Sequence, residues 1–131
     1  MINGEQEMSD FLGVSYYDMY PDTKLSSDPF KDYSLWVEDK IITEGQTRLI
    51  ENTLGLVGEA GEVAEKIKKM LRDSSKFTSE DILKELGDVV FYATALANYY
   101  DGNLGSILGL NVEKLDSREL RGKIQGSGDN R

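Results

Sequence analysis

Residues 46–100 set the strongest limit on what this chain can become. Within them, apolar or small side chains recur every three or four positions in two segments, separated by the polar break Asp73-Ser74-Ser75. That interval matches the roughly 3.6-residue turn of an α-helix. The first segment, about Gln46 to Arg72, carries Ile50, Leu54, Val57, Gly61, Ala64, Lys68 and Leu71 on one stripe, with Lys68 alone out of character. The second runs to about Tyr100 and places Ile82, Leu86, Val89, Ala93 and Leu96 on its inner face. Thr78-Ser79-Glu80-Asp81 fits a cap in front of it. The run VVFYATALA after Asp88 is apolar nearly all round, which makes this helix the centre of a bundle.

The flanks extend the pattern. Asp28-Pro29 reads as an N-cap followed by proline at the first helical position, opening a helix from Phe30 to about Glu44. It buries Tyr33, Val37 and Ile41, with Trp36 beside that stripe. Asp101-Gly102-Asn103 is a turn, and a fourth helix follows from Leu104 or Ser106 to about Arg118. No strand alternation and no long internal repeat interrupts this order. The expectation is an all-α, four-helix bundle-like domain over residues 29–118. An acidic N-terminal extension (1–28) precedes it, and a basic, glycine-rich tail (119–131) follows. The extension carries Tyr16, Tyr17 and Tyr20 and is expected to be partly ordered.

Composition narrows the chemistry. The chain has no cysteine and no histidine, so disulfides, imidazole or thiolate zinc sites, and Ser-His or Cys-His nucleophiles are all excluded. A metal here would be a hard cation held by oxygen, such as magnesium or manganese. The formal charge of −9 argues against duplex nucleic acid as a partner. Of that charge, an excess of 5 acids lies in residues 1–28 and only 4 in the rest. The longest apolar run, Val89 to Ala97, is too short for a bilayer, and MINGEQEMSD has acids where a signal peptide needs bases. A soluble, cytoplasmic protein is expected.

Two motifs carry chemistry: Glu59-Ala60-Gly61-Glu62 and Glu85-Leu86-Gly87-Asp88. A three-residue step on a helix leaves two side chains about 60° apart, so each pair shares a face. Twenty-two residues separate Glu62 from Glu85, enough to end one helix and return antiparallel. The four acids can then meet in one cluster. The plain alternative is a solvated face decorated by the i,i+4 pairs Glu62–Lys66 and Glu65–Lys69. Glu85, however, lies at the edge of the apolar stripe, where an ionised acid needs a partner. Either a lysine from a neighbouring helix or a metal cation meets that need. Gly61 falls on the apolar stripe and permits close helix approach, while Gly55 and Gly58 fall on the acid side and leave room for a ligand. The last helix adds Asn111 and Lys114 at i and i+3, then Arg118 and Arg121. It is either a solvated amphipathic helix or a basic flank for a polyphosphate.

The segment Leu54 to Val63 with Lys66-Ile67-Lys68-Lys69, then Glu85 to Tyr92, then Asn111-Val112-Glu113-Lys114-Leu115, resembles the MazG-like nucleotide pyrophosphohydrolases. The resemblance covers roughly residues 33–118. It implies an all-α fold in which Glu59, Glu62, Glu85 and Asp88 bind magnesium, with manganese as a substitute. It also implies cleavage of a nucleoside triphosphate between the α and β phosphates, giving a monophosphate and pyrophosphate. Glu62 is the choice for orienting or deprotonating water. Tyr92, Asn111 and Lys114 would hold phosphate oxygens, with Lys66, Lys69 and Arg118 as weaker candidates. Trp36 and Tyr33 are candidates to stack on a base, the more ordinary role for aromatics there being core. Many members carry a further glutamate where this chain has Gly58, which bears on the number of metal ions. A homodimer or homotetramer is also implied.

Two other readings are separable by experiment. One changes the substrate, to phosphoribosyl-ATP or an alarmone; a substrate panel decides it. The other is a non-catalytic helical interaction module, which would show no saturable, carboxylate-dependent binding of magnesium or manganese.

Overall fold

The computed structural model describes residues 28–122. The readings on the N-terminal extension up to residue 27 and on the tail from residue 123 lie outside the described residues. The described residues form four helices: α1 (Pro29–Lys40), α2 (Gly45–Asp73), α3 (Ser79–Tyr99) and α4 (Leu104–Leu120). No strand occurs among the described residues, so the all-α expectation holds.

Local chemistry sets most helix ends. The Asp28 carboxylate accepts from the Lys31 backbone N–H at 3.1 Å, and Pro29 occupies the first turn. Thr78 and Asp81 form a reciprocal capping box that starts α3. Asn103 and Ser106 do the same for α4. α2 ends where Ser74 turns left-handed (φ 54°). α1 stops at Lys40, four residues short of the expected Glu44, because Ile41 is already extended.

α3 lies against each of the other three helices, whereas the backbone of α2 comes close only to that of α3. The central position expected for VVFYATALA is thus observed: Thr94, Ala95 and Ala97 are buried. Two polar ties fix the neighbours. Ser34 of α1 donates to the Phe30 carbonyl and accepts from Leu104 N–H at 2.9 Å, while Asn98 donates to the Ser34 carbonyl at 2.9 Å. Arg48 of α2 forms a two-pronged pair with Glu38 of α1, both contacts 2.7 Å, and also donates to the Ala95 carbonyl.

The sequence pattern misassigns the inner face of α2. Leu54, Val57 and Leu71 are 66%, 67% and 82% exposed, and Ile50, Gly61 and Ala64 are exposed as well. The face turned to α3 instead carries buried Asn52, half-buried Glu59 and Lys66, and Gly55. At Gly55 the Tyr92 ring sits so close that a β-carbon would fall within 2.6 Å of ring carbons. Gly55 is therefore the close-packing glycine, and the space expected there for a ligand is filled by Tyr92. Gly61, expected to admit a neighbouring helix, has nothing within 4 Å of its β-position. Periodicity shows that α2 has an apolar stripe but not which partner that stripe meets.

Candidate metal centre

α2 and α3 run antiparallel, and their facing surfaces bring three motif acids together. Glu59, Glu85 and Asp88 each offer a carboxylate oxygen, all within 4.8 Å of one another. Glu59 comes from the middle of α2, and Glu85 and Asp88 from successive turns on one face of α3. Glu62, the fourth motif acid, is exposed and stands outside this group. Its charge still reaches Glu59. The Glu59 carboxyl is pushed above the ordinary carboxylate range, first by desolvation and then by the negative charges of Asp88, Glu85 and Glu62.

A lysine meets part of this charge. Lys66 Nζ lies 3.1 Å from Glu85 Oε1 across the helix pair and 4.9 Å from the Phe77 ring centroid. The expected Glu62–Lys66 pair is therefore replaced by an inter-helix one. Glu65 pairs with Lys68 at 2.8 Å and more loosely with Lys69 at 3.9 Å, a solvated arrangement away from the acids. One ammonium against three clustered carboxylates leaves an excess of negative charge. The donors are all carboxylate oxygen, which suits a hard divalent cation and no soft one.

An aromatic row adjoins the acids. Tyr33 stacks on Trp36 (centroids 5.6 Å apart), Trp36 meets the edge of Phe91 at 5.9 Å, and Phe91 meets Tyr92 at 5.3 Å. Tyr92 lies one turn beyond Asp88. The Tyr33 phenol is pushed above its ordinary value by burial first and then by the charge of Asp88. Trp36 is half exposed, with the Lys40 ammonium 5.7 Å from its centroid.

The residues expected on α4 are placed elsewhere. Asn111 and Lys114 line an open recess of about 260 Å³ together with Ile107 and Leu110. α4 makes no contact with α2 at the level of the backbone. Arg118, expected as a cation offered to phosphate, is buried. The sequence pattern gives no special place to Asn52, whose buried amide nitrogen has no hydrogen-bond partner among the described residues. Nothing in its spacing marks it out, because α2 carries many polar side chains, Glu51 and Thr53 beside it among them.

Fold and site together define an all-α domain with a carboxylate cluster seated across an antiparallel helix pair. The chain belongs to the MazG nucleotide pyrophosphohydrolase family: residues 48–121 match the family's nucleotide pyrophosphohydrolase domain. That span contains all four motif acids. The chain is also 52% identical, over 83 residues, to the Gene 37 protein of Mycobacterium phage L5. The match covers 60% of this chain and 73% of the phage protein. No solved structure matches the chain. No helix among the described residues is long and apolar enough to cross a membrane.

Proposed function

We propose that this protein is a metal-dependent nucleoside triphosphate pyrophosphohydrolase, converting (d)NTP and water to (d)NMP and pyrophosphate. The observation that carries the reading is the set of three carboxylate oxygens within 4.8 Å, contributed by two facing helices and opposed by one lysine. Glu59, Glu85 and Asp88 would hold magnesium or manganese, with Glu62 at the edge of the site. Bound magnesium supplies electrophilic activation of the α-phosphate and lowers the pKa of coordinated water.

The chain's own residues complete the chemistry. Glu62, exposed beside the cluster, orients the attacking water and accepts its proton. The new bond joins water oxygen to the α-phosphorus, and the α–β bridging bond breaks with its electron pair leaving on pyrophosphate. Lys66 and Tyr92 flank the acids and hold phosphate oxygens, with Lys69 further along α2. Trp36 offers a half-exposed indole for a base. Positioning and charge neutralisation dominate phosphoryl chemistry, and none of these roles needs histidine. Asn111 and Lys114 are tested separately: Lys114→Ala is expected to raise KM if the α4 recess takes part of the substrate. The test of the whole reading is release of pyrophosphate from a panel of ribo- and deoxynucleoside triphosphates with magnesium. Folded protein that releases none would overturn it.

The outward stripe of α2 supports a homo-oligomer. Among the described residues the buried hydrophobic side chains are Val37, Ala95 and Ala97, while Ile50, Leu54, Val57, Leu71 and, on α3, Leu83 remain open. An apolar stripe left this open marks a surface for association. A second copy presenting the same stripe would cover it, forming a self-complementary helical interface. Sedimentation should show a dimer or tetramer, and the Leu54→Glu, Val57→Glu double variant should sediment as monomer. A monomeric wild-type protein would contradict this.

A further inference from the structure

Lys66 sits where its charge is useful only under particular conditions. Its ammonium is 3.1 Å from Glu85 Oε1, and the two side chains are 24% and 19% exposed, so the pair is partly shielded from solvent. The Phe77 ring, 4.9 Å from Nζ, backs the ammonium from the loop between α2 and α3. Glu85 is at the same time one of the three acids whose oxygens converge within 4.8 Å. Lys66 follows Glu59 by seven residues, about two turns, and so lies nearly in line with it on the same face of α2.

We infer that Lys66 and a divalent cation compete for Glu85, and that the cation, on binding, releases Lys66 to the phosphate chain of the substrate. This rests on the metal-centre reading above. A divalent cation outbids a single ammonium for a carboxylate already crowded by Glu59 and Asp88. The displaced lysine, a compact charge on a flexible four-carbon stem, can swing where an arginine fork would be less adaptable. Its next partner is the polyphosphate, which brings several negative charges to the same cluster. Lys66 thus keeps the cluster together before the cation arrives and binds the phosphates afterwards.

The test uses Lys66→Met, with Lys66→Gln as a second neutral variant and Lys66→Arg as the charge-keeping control, each checked for unchanged helical signal. Manganese alone is titrated calorimetrically. Removing a positive charge about 5 Å from a divalent cation should tighten manganese binding about fourfold to tenfold, even in solvent-like dielectric with screening. With manganese saturating, a deoxynucleoside triphosphate carrying an imido α–β bridge should bind about tenfold more weakly to the neutral variants, while Lys66→Arg recovers most of its affinity. Opposite signs for the two ligands are the signature, which a merely structural lysine would not produce. Unchanged or weaker manganese binding in both neutral variants overturns the inference, as does unchanged binding of the analogue. If wild-type and variant proteins alike bind no manganese, the metal-centre reading falls with it.

Discussion

Replacing Glu59 by glutamine should make the protein more stable while removing its ability to hold a divalent cation. Glu59, Glu85 and Asp88 converge to within 4.8 Å, and Lys66 pairs with Glu85 alone among them. At 4.8 Å two unit charges in solvent-like dielectric repel by about 0.9 kcal/mol, and physiological salt lowers this to roughly 0.5 kcal/mol. Glutamine at position 59 relieves two such repulsions and keeps the shape of the side chain. The gain is therefore about 1 kcal/mol, with solvent exposure limiting anything larger. For a domain of this size that corresponds to a thermal midpoint higher by roughly 4–8 °C. The pH dependence gives a second check. Because the folded-state pKa of Glu59 is raised, the folded chain binds that proton more tightly than the unfolded one. Its contribution is fully present below the unfolded pKa and is lost as pH rises through the folded pKa. Glu59→Gln should remove that loss just above the ordinary carboxylate range. The assay is thermal unfolding by circular dichroism in chelator, then with magnesium, across pH 4–7 (about the carboxylate range and above). Wild-type protein should gain stability with magnesium and the variant should not. A variant less stable than wild type in chelator would refute the electrostatic reasoning, and one that keeps the magnesium response would refute the ligand role.

Other substitutions probe the frame around the site. Gly55→Ala pushes a methyl group into the Tyr92 ring and should cost about 1–3 kcal/mol, only partly offset by better helix propensity. Gly109→Ala meets nothing within 4 Å and should stabilise by roughly 0.5–1 kcal/mol; urea midpoints in the reverse order would contradict the packing. Thr78→Ala removes the capping box of α3 and should cost about 1 kcal/mol, read by chemical denaturation. Arg48→Met removes two contacts to Glu38 and one to the Ala95 carbonyl, for an expected loss of about 1–2 kcal/mol. Arg48 also holds the Glu38 carboxyl below its ordinary range. Wild type therefore loses this contribution as pH falls through that depressed pKa, and the variant should show a flatter acid limb below about pH 4. An unchanged acid limb would mean that the pair adds nothing in solution.

The legible parts of this protein were those set by neighbouring residues along the chain. Asp28 before Pro29, Thr78 with Asp81, and Asp101-Gly102-Asn103 mark helix ends because capping and turn chemistry act within three or four positions. The acid pairs were equally visible, since a three-residue spacing fixes a shared helix face. Contacts across helices were not. Ile50, Leu54 and Val57 made a clear stripe, but the helix seats Asn52, Gly55 and Glu59 on its neighbour and leaves the stripe outward. A helix with two usable faces does not announce which one its own chain will cover. Lys66 illustrates the same limit: i,i+4 spacing favoured Glu62, whereas antiparallel packing delivers Glu85. The Arg48–Glu38–Asn98 tie joins three helices without any spacing rule. Arg118 looked like a surface cation by composition, yet it is buried while its neighbours along α4 are exposed.

The most direct test of the central claim is a product assay on the purified protein with magnesium and a panel of nucleoside triphosphates. Pyrophosphate and nucleoside monophosphate are quantified together, alongside the Glu85→Gln variant. The two products should appear in equal yield, depend on magnesium, and both be lost in a variant that stays helical. Release of inorganic phosphate with nucleoside diphosphate, or full activity in Glu85→Gln, would contradict it.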